Sequence, residues 1–290
     1  MLRLFRKKKK QKKEEEINLQ KNGSLLLEEL IATSGDRFVW YKGMIENRPV
    51  LIKKFQDCSV FDADNFYRDI AVSSLMSSHK NVLKLLGCCL EFPRPVLVCE
   101  YPEHGALNCI RCGKEGVRSF PWNVRLRIAK EIADAVAYLH TEFPRTIIHR
   151  DLKLANIFLD ENWSAKLSSF SLSIVLPEGE TGVNDMVCRT SSYIEPDYFN
   201  TGKSEYNSEV AVYLPVLPVY VGKFLERGLL TELIDPSILD STSDDIPKHS
   251  RLQVEAFIEL AFRCVRFRPG ENVPRMIDVA KELKKIEKHI

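Results

Sequence analysis

The sequence predicts an α+β fold of two unequal lobes, a small lobe built on an antiparallel sheet and a larger helical lobe. Between Phe38 and Tyr101, short apolar runs are broken by turn residues, which is the pattern of strands. After His104, apolar residues recur at helical spacing. Because the strands come first and the helices afterwards, we expect them to form separate lobes, joined by a hinge near residues 100–103.

The composition indicates a folded domain preceded by a basic tail. The 290 residues are 44% hydrophobic and 28% charged, as in ordinary globular proteins. Residues 1–16 hold eight Lys or Arg and three Glu, although the net charge of the chain is only +2. A basic tail on a slightly acidic body argues against nucleic-acid binding. We expect residues 1–21 to be a disordered tail, and residues 3–13 could contact an anionic membrane surface transiently.

Neither a membrane span nor a secretory signal is apparent in the sequence. No apolar run reaches the roughly 18 residues that a spanning helix needs, and the N-terminus lacks the apolar segment of a signal peptide. The eight cysteines are therefore expected to be reduced. Cys109 and Cys112 lack the further ligands of a zinc site, and Cys88 and Cys89 lie in an apolar run typical of buried side chains.

The small lobe is expected to span residues 22–102. Its apolar runs predict strands at 38–41, 50–52, 82–90 and 95–101. A hairpin turn at 46–49 joins the first two strands, and residues 63–76 are predicted to form one helix.

The large lobe, residues 103–290, is predicted to be helical. Pro121 suits the first turn of a helix, and apolar residues follow it at helical spacing as far as Leu139. A second apolar face covers residues 254–265, and Pro274 begins a last helix.

One segment carries the strongest functional signal. Residues 147–156 read Ile-Ile-His-Arg-Asp-Leu-Lys-Leu-Ala-Asn, which is the complete catalytic loop of protein kinases. In that family the aspartate, here Asp151, accepts the proton of the substrate hydroxyl, and the asparagine, here Asn156, helps to hold magnesium. Lys153 would offset charge on the transferred phosphate. The chain thus resembles eukaryotic protein kinases over nearly all its length after Phe38, and the resemblance implies their bilobal fold.

Further motifs narrow the resemblance. Residues 50–53 read Val-Leu-Ile-Lys and match the third-strand motif whose lysine, here Lys53, pairs with nucleotide phosphates. Residues 79–91 resemble plant receptor-like kinases, and residues 22–28, Asn-Gly-Ser-Leu-Leu-Leu-Glu, resemble the segment just inside the membrane in wall-associated kinases. Since we expect no membrane span ahead of that segment, the chain resembles most the cytoplasmic ZED-related (ZRK) kinases of plants.

The ZRK resemblance implies a role in immune signalling. Members of that family are largely pseudokinases that act as adaptors between a nucleotide-binding leucine-rich-repeat (NLR) immune receptor and receptor-like cytoplasmic kinases modified by pathogen effectors. The resemblance implies partners of these two kinds and a cytoplasmic location, which could be the inner face of the plasma membrane. It also implies that the hinge at Cys99, Glu100 and Tyr101 would offer backbone groups to an adenine ring.

The catalytic pattern fails at the metal position. Eighteen residues after Asp151 the family has Asp-Phe-Gly, and this chain has Ser169 followed by Phe and Ser. The lost aspartate binds magnesium in active kinases, and a neutral hydroxyl cannot supply the anionic oxygen that a hard cation favours. If about 4 kcal/mol of transition-state stabilisation is lost, turnover falls roughly a thousandfold. We therefore expect no Mg²⁺ binding and at most weak binding of ATP.

The predicted nucleotide cleft departs from the family at two more places. The three glycine positions of the glycine-rich loop fall on Thr33, Gly35 and Phe38, so two of them carry side chains where the backbone must approach phosphate. The helix carboxylate expected to pair with Lys53 is Asp69, which is one methylene shorter than the usual Glu. The ion pair is therefore expected to be long or to draw the helix inward.

The large lobe departs from the family as well. Asp197 stands where the family has a glutamate, and Val273 replaces the arginine that pairs with it. Because an unpaired buried charge is unfavourable, Asp197 must be solvated or pair elsewhere, for example with Arg275. Residues 198–223 are shorter than the matching region of relatives and contain two interrupting prolines, so we expect a truncated central helix.

Three hypotheses follow from these patterns. In the first, the protein is a catalytically impaired adaptor in which Asp151, Lys153 and Asn156 are vestigial and Ser169 marks a degraded metal position. In the second, it is a weakly active Ser/Thr kinase that binds ATP through Lys53. In the third, the shortened central region makes it an unstable, truncated kinase-like product.

Overall fold

The computed structural model begins with a strand-rich part and has long helices in its second part, as the sequence predicts, but seven short strands that the sequence did not predict also lie in the described part of the chain between residues 105 and 207. The structure describes residues 26–34, 38–56, 63–91, 94–108, 120–180, 182–184, 205–207, 248–264 and 273–289. The helices are α1 (Ala63–Leu75), α2 (Trp122–Thr141), α3 (Lys248–Cys264) and α4 (Met276–His289). The strands are β1 (Leu26–Ser34), β2 (Phe38–Ile45), β3 (Arg48–Phe55), β4 (Leu85–Cys89), β5 (Val96–Glu100), β6 (Gly105–Ala106), β7 (Ile147–Ile148), β8 (Ile157–Leu159), β9 (Ala165–Leu167), β10 (Ile174–Val175), β11 (Gly182–Asn184) and β12 (Glu205–Asn207).

The small lobe is built on a five-stranded antiparallel sheet in the order β1-β2-β3-β5-β4. Strands β2 and β3 form the predicted hairpin, and Ile45 pairs with Arg48 across a two-residue turn. Glu46 and Asn47 occupy that turn with φ of 49° and 63°, as a tight hairpin requires. Both strands are longer than their apolar runs, because they continue through charged residues such as Lys42, Arg48 and Lys54.

The helix predicted at 63–76 is confirmed as α1, but the prediction for the cysteines of β4 is wrong. Cys88 is exposed and Cys89 is half-buried. Strand β4 lies at the edge of the sheet, so one side of its backbone and much of its side-chain surface face solvent. An apolar sequence run alone does not reveal this edge position.

The large lobe packs α2 against α4 around one apolar core, which also takes in β8 and β9. Pro121 precedes α2 by one residue, and its carbonyl accepts hydrogen bonds from the amides of Val124 and Arg125. Val273, at the position of the family's arginine, is buried. Arg275 pairs with Asp278, at 3.0 Å between Nε and Oδ2.

Several predictions lie outside the described residues. They concern the tail at 1–21, Gly35, Cys109 and Cys112, Asp197, and the shortened region 198–223. The division of the chain into residues 22–102 and 103–290 also stays a prediction. No helix among the described residues is both long enough and apolar enough to cross a bilayer.

Candidate functional site

The predicted lysine and its carboxylate partner meet in the interior. Lys53 lies on β3 and Asp69 on α1, and Lys53 Nζ is 2.5 Å from Asp69 Oδ2. Both side chains are 1% exposed. Of the two expected alternatives, a long ion pair or a helix drawn inward, the long pair is excluded, because α1 lies close enough to the sheet for the shorter acid to reach the lysine.

The other oxygen of Asp69 ties α1 to the segment that follows β9. Asp69 Oδ1 accepts a hydrogen bond from the Phe170 amide at 2.9 Å and from Ser73 Oγ at 3.3 Å. Both oxygens of this buried carboxylate therefore have donors, as a buried charge requires. Ser73 is a participant that the sequence motifs did not indicate.

Ser169 lies beside the ion pair, where the family places its metal-binding aspartate. Lys53 Nζ donates a hydrogen bond to Ser169 Oγ at 3.1 Å. Ser169 has a φ of 67°, in the left-handed region that side chains other than glycine seldom adopt. Phe170 follows with a fully buried ring in the core below α1. The backbone of this turn thus keeps a strained shape although the carboxylate is absent.

The catalytic-loop residues are brought together and bonded to one another. Asp151 Oδ2 lies 2.9 Å from Lys153 Nζ and accepts a hydrogen bond from Asn156 Nδ2, also at 2.9 Å. His149 Nε2 is 3.1 Å from the Ser168 carbonyl, and its Nδ1 accepts from the Asp151 amide. Burial lowers the pKa of His149, so its ring is neutral with the proton on Nε2.

These residues do not fit a magnesium ion. Asn156 Oδ1 is buried and has no hydrogen-bond partner in the described part of the chain, so it offers one neutral oxygen. The Asp151 carboxylate is engaged internally, and Ser169 supplies only a hydroxyl. In the described part of the chain, no three His, Cys, Asp or Glu side chains are grouped to hold a metal. Magnesium favours anionic oxygen ligands, and this arrangement lacks a free one.

The predicted hinge residues differ in exposure. Cys99 is buried on β5, and burial raises the pKa of its thiol to about 12. Glu100 accepts a hydrogen bond from the Lys84 amide and lies 3.5 Å from Lys166 of the large lobe. A groove of about 260 Å³ opens beside the hinge. Its lining residues are Glu100, Tyr101, Pro102, Glu103, Asp160, Glu161 and Lys166.

Three buried aromatic residues lie in the cleft near Lys53, and sequence reasoning identified only one of them, Phe38, as a substituted glycine position. Phe38 and Trp40 project from β2, and Phe158 projects from β8; we call these three the cleft aromatics. They are 0%, 2% and 0% exposed, respectively. The ring centroids of Trp40 and Phe158 are 5.2 Å apart, and those of Phe38 and Trp40 are 5.9 Å apart. The sequence did contain a signal for Trp40. The glycine-rich-loop pattern of kinases ends in a valine, and in this chain Trp40 occupies the position of that valine.

Two of the cleft aromatics, Phe38 and Trp40, also lie against the lysine. Lys53 Nζ lies 3.8 Å from the centroid of the Phe38 ring and 5.3 Å from that of Trp40. Burial lowers the pKa of Lys53, and the attraction of Asp69 opposes that shift. The ammonium group therefore interacts with an acid, a hydroxyl and aromatic faces of its own chain.

Comparison with known proteins agrees with this architecture. The family model described as "Protein kinase domain" matches residues 39–219. This range contains the Lys53–Asp69 pair, the hinge and the catalytic loop.

Individual relatives from Arabidopsis thaliana fall into one group but differ in their names. Serine/threonine-protein kinase ZRK7 is 72% identical over 173 residues, which cover 59% of this chain and 64% of the relative, less than two thirds of its length. Non-functional pseudokinase ZED1 is 43% identical over 320 residues, covering 92% of this chain and 96% of ZED1. Serine/threonine-protein kinase ZRK1 is 44% identical over 280 residues, covering 86% and 78%. These names leave the catalytic status of the present chain open.

Proposed function

Because the chain belongs to the ZRK family of protein kinases and pseudokinases, we propose that it is a catalytically impaired, kinase-like adaptor. Its role would be to recognise other proteins by its surface. The partners would be an NLR immune receptor and effector-modified receptor-like cytoplasmic kinases of plants. This part of the proposal rests on the family resemblance, and the loss of catalysis rests on the site.

One observation carries the loss of catalysis. The hydroxyl of Ser169 replaces the metal-binding carboxylate and accepts a hydrogen bond from Lys53. In active kinases the lysine and the metal hold the phosphates together, and both must be in place for transfer. Here the lysine keeps its ion pair with Asp69, but the carboxylate that would hold the metal is replaced by a neutral hydroxyl, so one of the two required parts is missing.

A phosphotransfer assay tests this proposal. The purified full chain is incubated with radiolabelled ATP, Mg²⁺ and a general protein substrate, beside its Asp151→Asn variant. We expect label incorporation by the two proteins to agree within about twofold. Without a metal-bound phosphate to transfer, the general base Asp151 cannot increase the turnover of the wild type. Wild-type turnover near one per second that Asp151→Asn abolishes would overturn the proposal.

The surviving catalytic loop favours one alternative, a weakly active Ser/Thr kinase. Asp151, Lys153 and Asn156 keep a connected arrangement, with 2.9 Å between the carboxylate and each partner. This alternative predicts slow autophosphorylation that Lys53→Met and Asp151→Asn both remove. Equal signals from the wild type and both variants would exclude it.

The adaptor role is tested separately from chemistry. In a plant that lacks this gene, the Asp151→Asn variant should restore immune output as fully as the wild type, because recognition does not need phosphotransfer. A variant that is expressed and folded but restores nothing would show that the catalytic aspartate is required, and the adaptor proposal would fail.

A further inference from the structure

We propose that Trp40 and Phe158, two of the cleft aromatics, occupy the space of an adenine ring, so that the wild-type protein binds no purine there and is braced by its own side chains instead. This inference rests on the proposed function, since it concerns the same cleft. It adds a second, independent obstacle to catalysis beyond the change at Ser169.

The register of the sheet places Trp40 on the cleft face, level with the lysine. Trp40 pairs directly with Lys53, and Phe38 pairs with Phe55. Side chains two residues apart lie on the same face of a strand, so Phe38, Trp40 and Lys53 share the face of the sheet that also carries Cys99 of the hinge. Cys99 pairs with the residue two positions before Lys53, so Trp40 lies one same-face position from the hinge, whereas Phe38 lies beyond the lysine.

The large lobe closes this space from the other side. Phe158 on β8 pairs with Ala106 on β6, and both side chains are fully buried in the same cluster as Trp40. A flat ring stacked between two others needs centroids about 7 Å apart, twice the usual contact distance of about 3.5 Å. The rings of Trp40 and Phe158 are 5.2 Å apart with 76° between their planes. This spacing leaves no layer for a purine.

The groove beside the hinge does not offer a substitute site for a nucleotide. Four of its lining residues are carboxylates and one is Lys166. Lys166 already pairs with two of these carboxylates, because its Nζ lies 3.5 Å from Glu100 Oε1 and 3.7 Å from Asp160 Oδ2. An excess of negative charge disfavours a triphosphate.

Substitutions of Trp40 can distinguish the volume that its ring fills from hydrogen bonding by its indole nitrogen. Its Nε1 is buried and has no hydrogen-bond partner among the described residues. An unpaired buried donor destabilises the fold, so the stabilising contribution of this side chain comes from the volume that its ring fills. Trp40→Phe removes the donor and keeps an aromatic ring, whereas Trp40→Val removes the ring.

Adenosine is the probe for this inference, because it has no phosphate and needs neither metal nor Lys53. Thermal unfolding of the full chain is measured with and without adenosine for the wild type, Trp40→Phe, Trp40→Val and Phe158→Leu. Trp122→Val is the matched control, since Trp122 packs on Phe257 in the large lobe, away from the cleft. Near-UV circular dichroism confirms that each variant is folded, and Trp40→Leu replaces Trp40→Val if the latter unfolds.

We expect adenosine to leave the wild type, Trp40→Phe and Trp122→Val unchanged. At ten times its dissociation constant, it should raise the melting temperature of Trp40→Val or Phe158→Leu by about 3 °C. Saturable binding to the wild type, or folded cleft variants that gain no binding, would overturn the inference. Wild-type binding without phosphotransfer would overturn this inference alone, whereas phosphotransfer would overturn the proposed function as well.

Discussion

The buried pair of Lys53 and Asp69 is expected to make a large contribution to the stability of the fold. In Asp69→Asn, the lysine stays in an interior where each partner is 1% exposed, and the hydroxyl of Ser169 is the remaining polar group bonded to it. Breaking a buried pair from one side costs about 3–5 kcal/mol. The free energy of unfolding of a domain is about 5–15 kcal/mol, so this single change should remove a large part of it.

Removing the lysine of the pair should lower the free energy of unfolding less than removing the acid. Lys53→Met removes the charge and places a flexible apolar chain among aromatic rings, which methionine contacts favourably. Asp69 keeps the Phe170 amide and the Ser73 hydroxyl as donors, so we expect a loss of about 2 kcal/mol. The double variant should be no less stable than Asp69→Asn alone, which corresponds to a coupling of about 2–3 kcal/mol.

Urea denaturation followed by tryptophan fluorescence measures this cycle. The control cycle is Lys284→Met with Asp134→Asn, whose ion pair has a similar distance of 2.8 Å but side chains that are 50% and 23% exposed. Exposed pairs couple by less than about 1 kcal/mol. A buried coupling no larger than the control would refute the reasoning.

Two further predictions concern titration and thiol reactivity. Burial, with a contribution from His149, lowers the pKa of His140 to about 4. In the unfolded chain the same imidazole binds its proton near pH 6.5. The stability that neutral His140 contributes is therefore complete above pH 6.5 and is lost as the pH falls towards 4. Urea titrations should show a loss of up to about 3 kcal/mol between pH 7 and 4 that His140→Gln lacks; an equal loss in both proteins would contradict this. At pH 8, iodoacetamide should modify exposed Cys88 within minutes and Cys99 only after unfolding, because burial raises the pKa of the Cys99 thiol to about 12. Equal modification rates of the two cysteines, measured by peptide mass spectrometry, would contradict the buried position of Cys99.

The sequence predicted the site where the family motifs have fixed spacing. Lys53, Asp69 and Ser169 are far apart in the chain, yet each was located from its own motif, and the structure brings them together. The fold class and α1 followed equally from local pattern.

What the sequence could not predict depends on long-range geometry. The contact between Trp40 and Phe158 joins strands of different lobes, and no local pattern records how close those strands lie. The exposure of Cys88 depends on the position of β4 at the sheet edge. Ser73 joins the network because one helical turn separates it from Asp69, and a motif defined by the acid alone omits it.

The filled cleft bears on how readily activity could return to this lineage. Restoring an aspartate at position 169 would need only one residue to change, and it would restore the negative charge that binds the metal in active kinases. Room for a base would still be missing, because two large rings from distant parts of the gene, Trp40 and Phe158, meet there. A variant with one smaller ring would admit a base, but while no base is bound it would carry a cavity that lowers its stability. The return of activity therefore requires changes at two separate places, the cleft and position 169, which makes the loss durable.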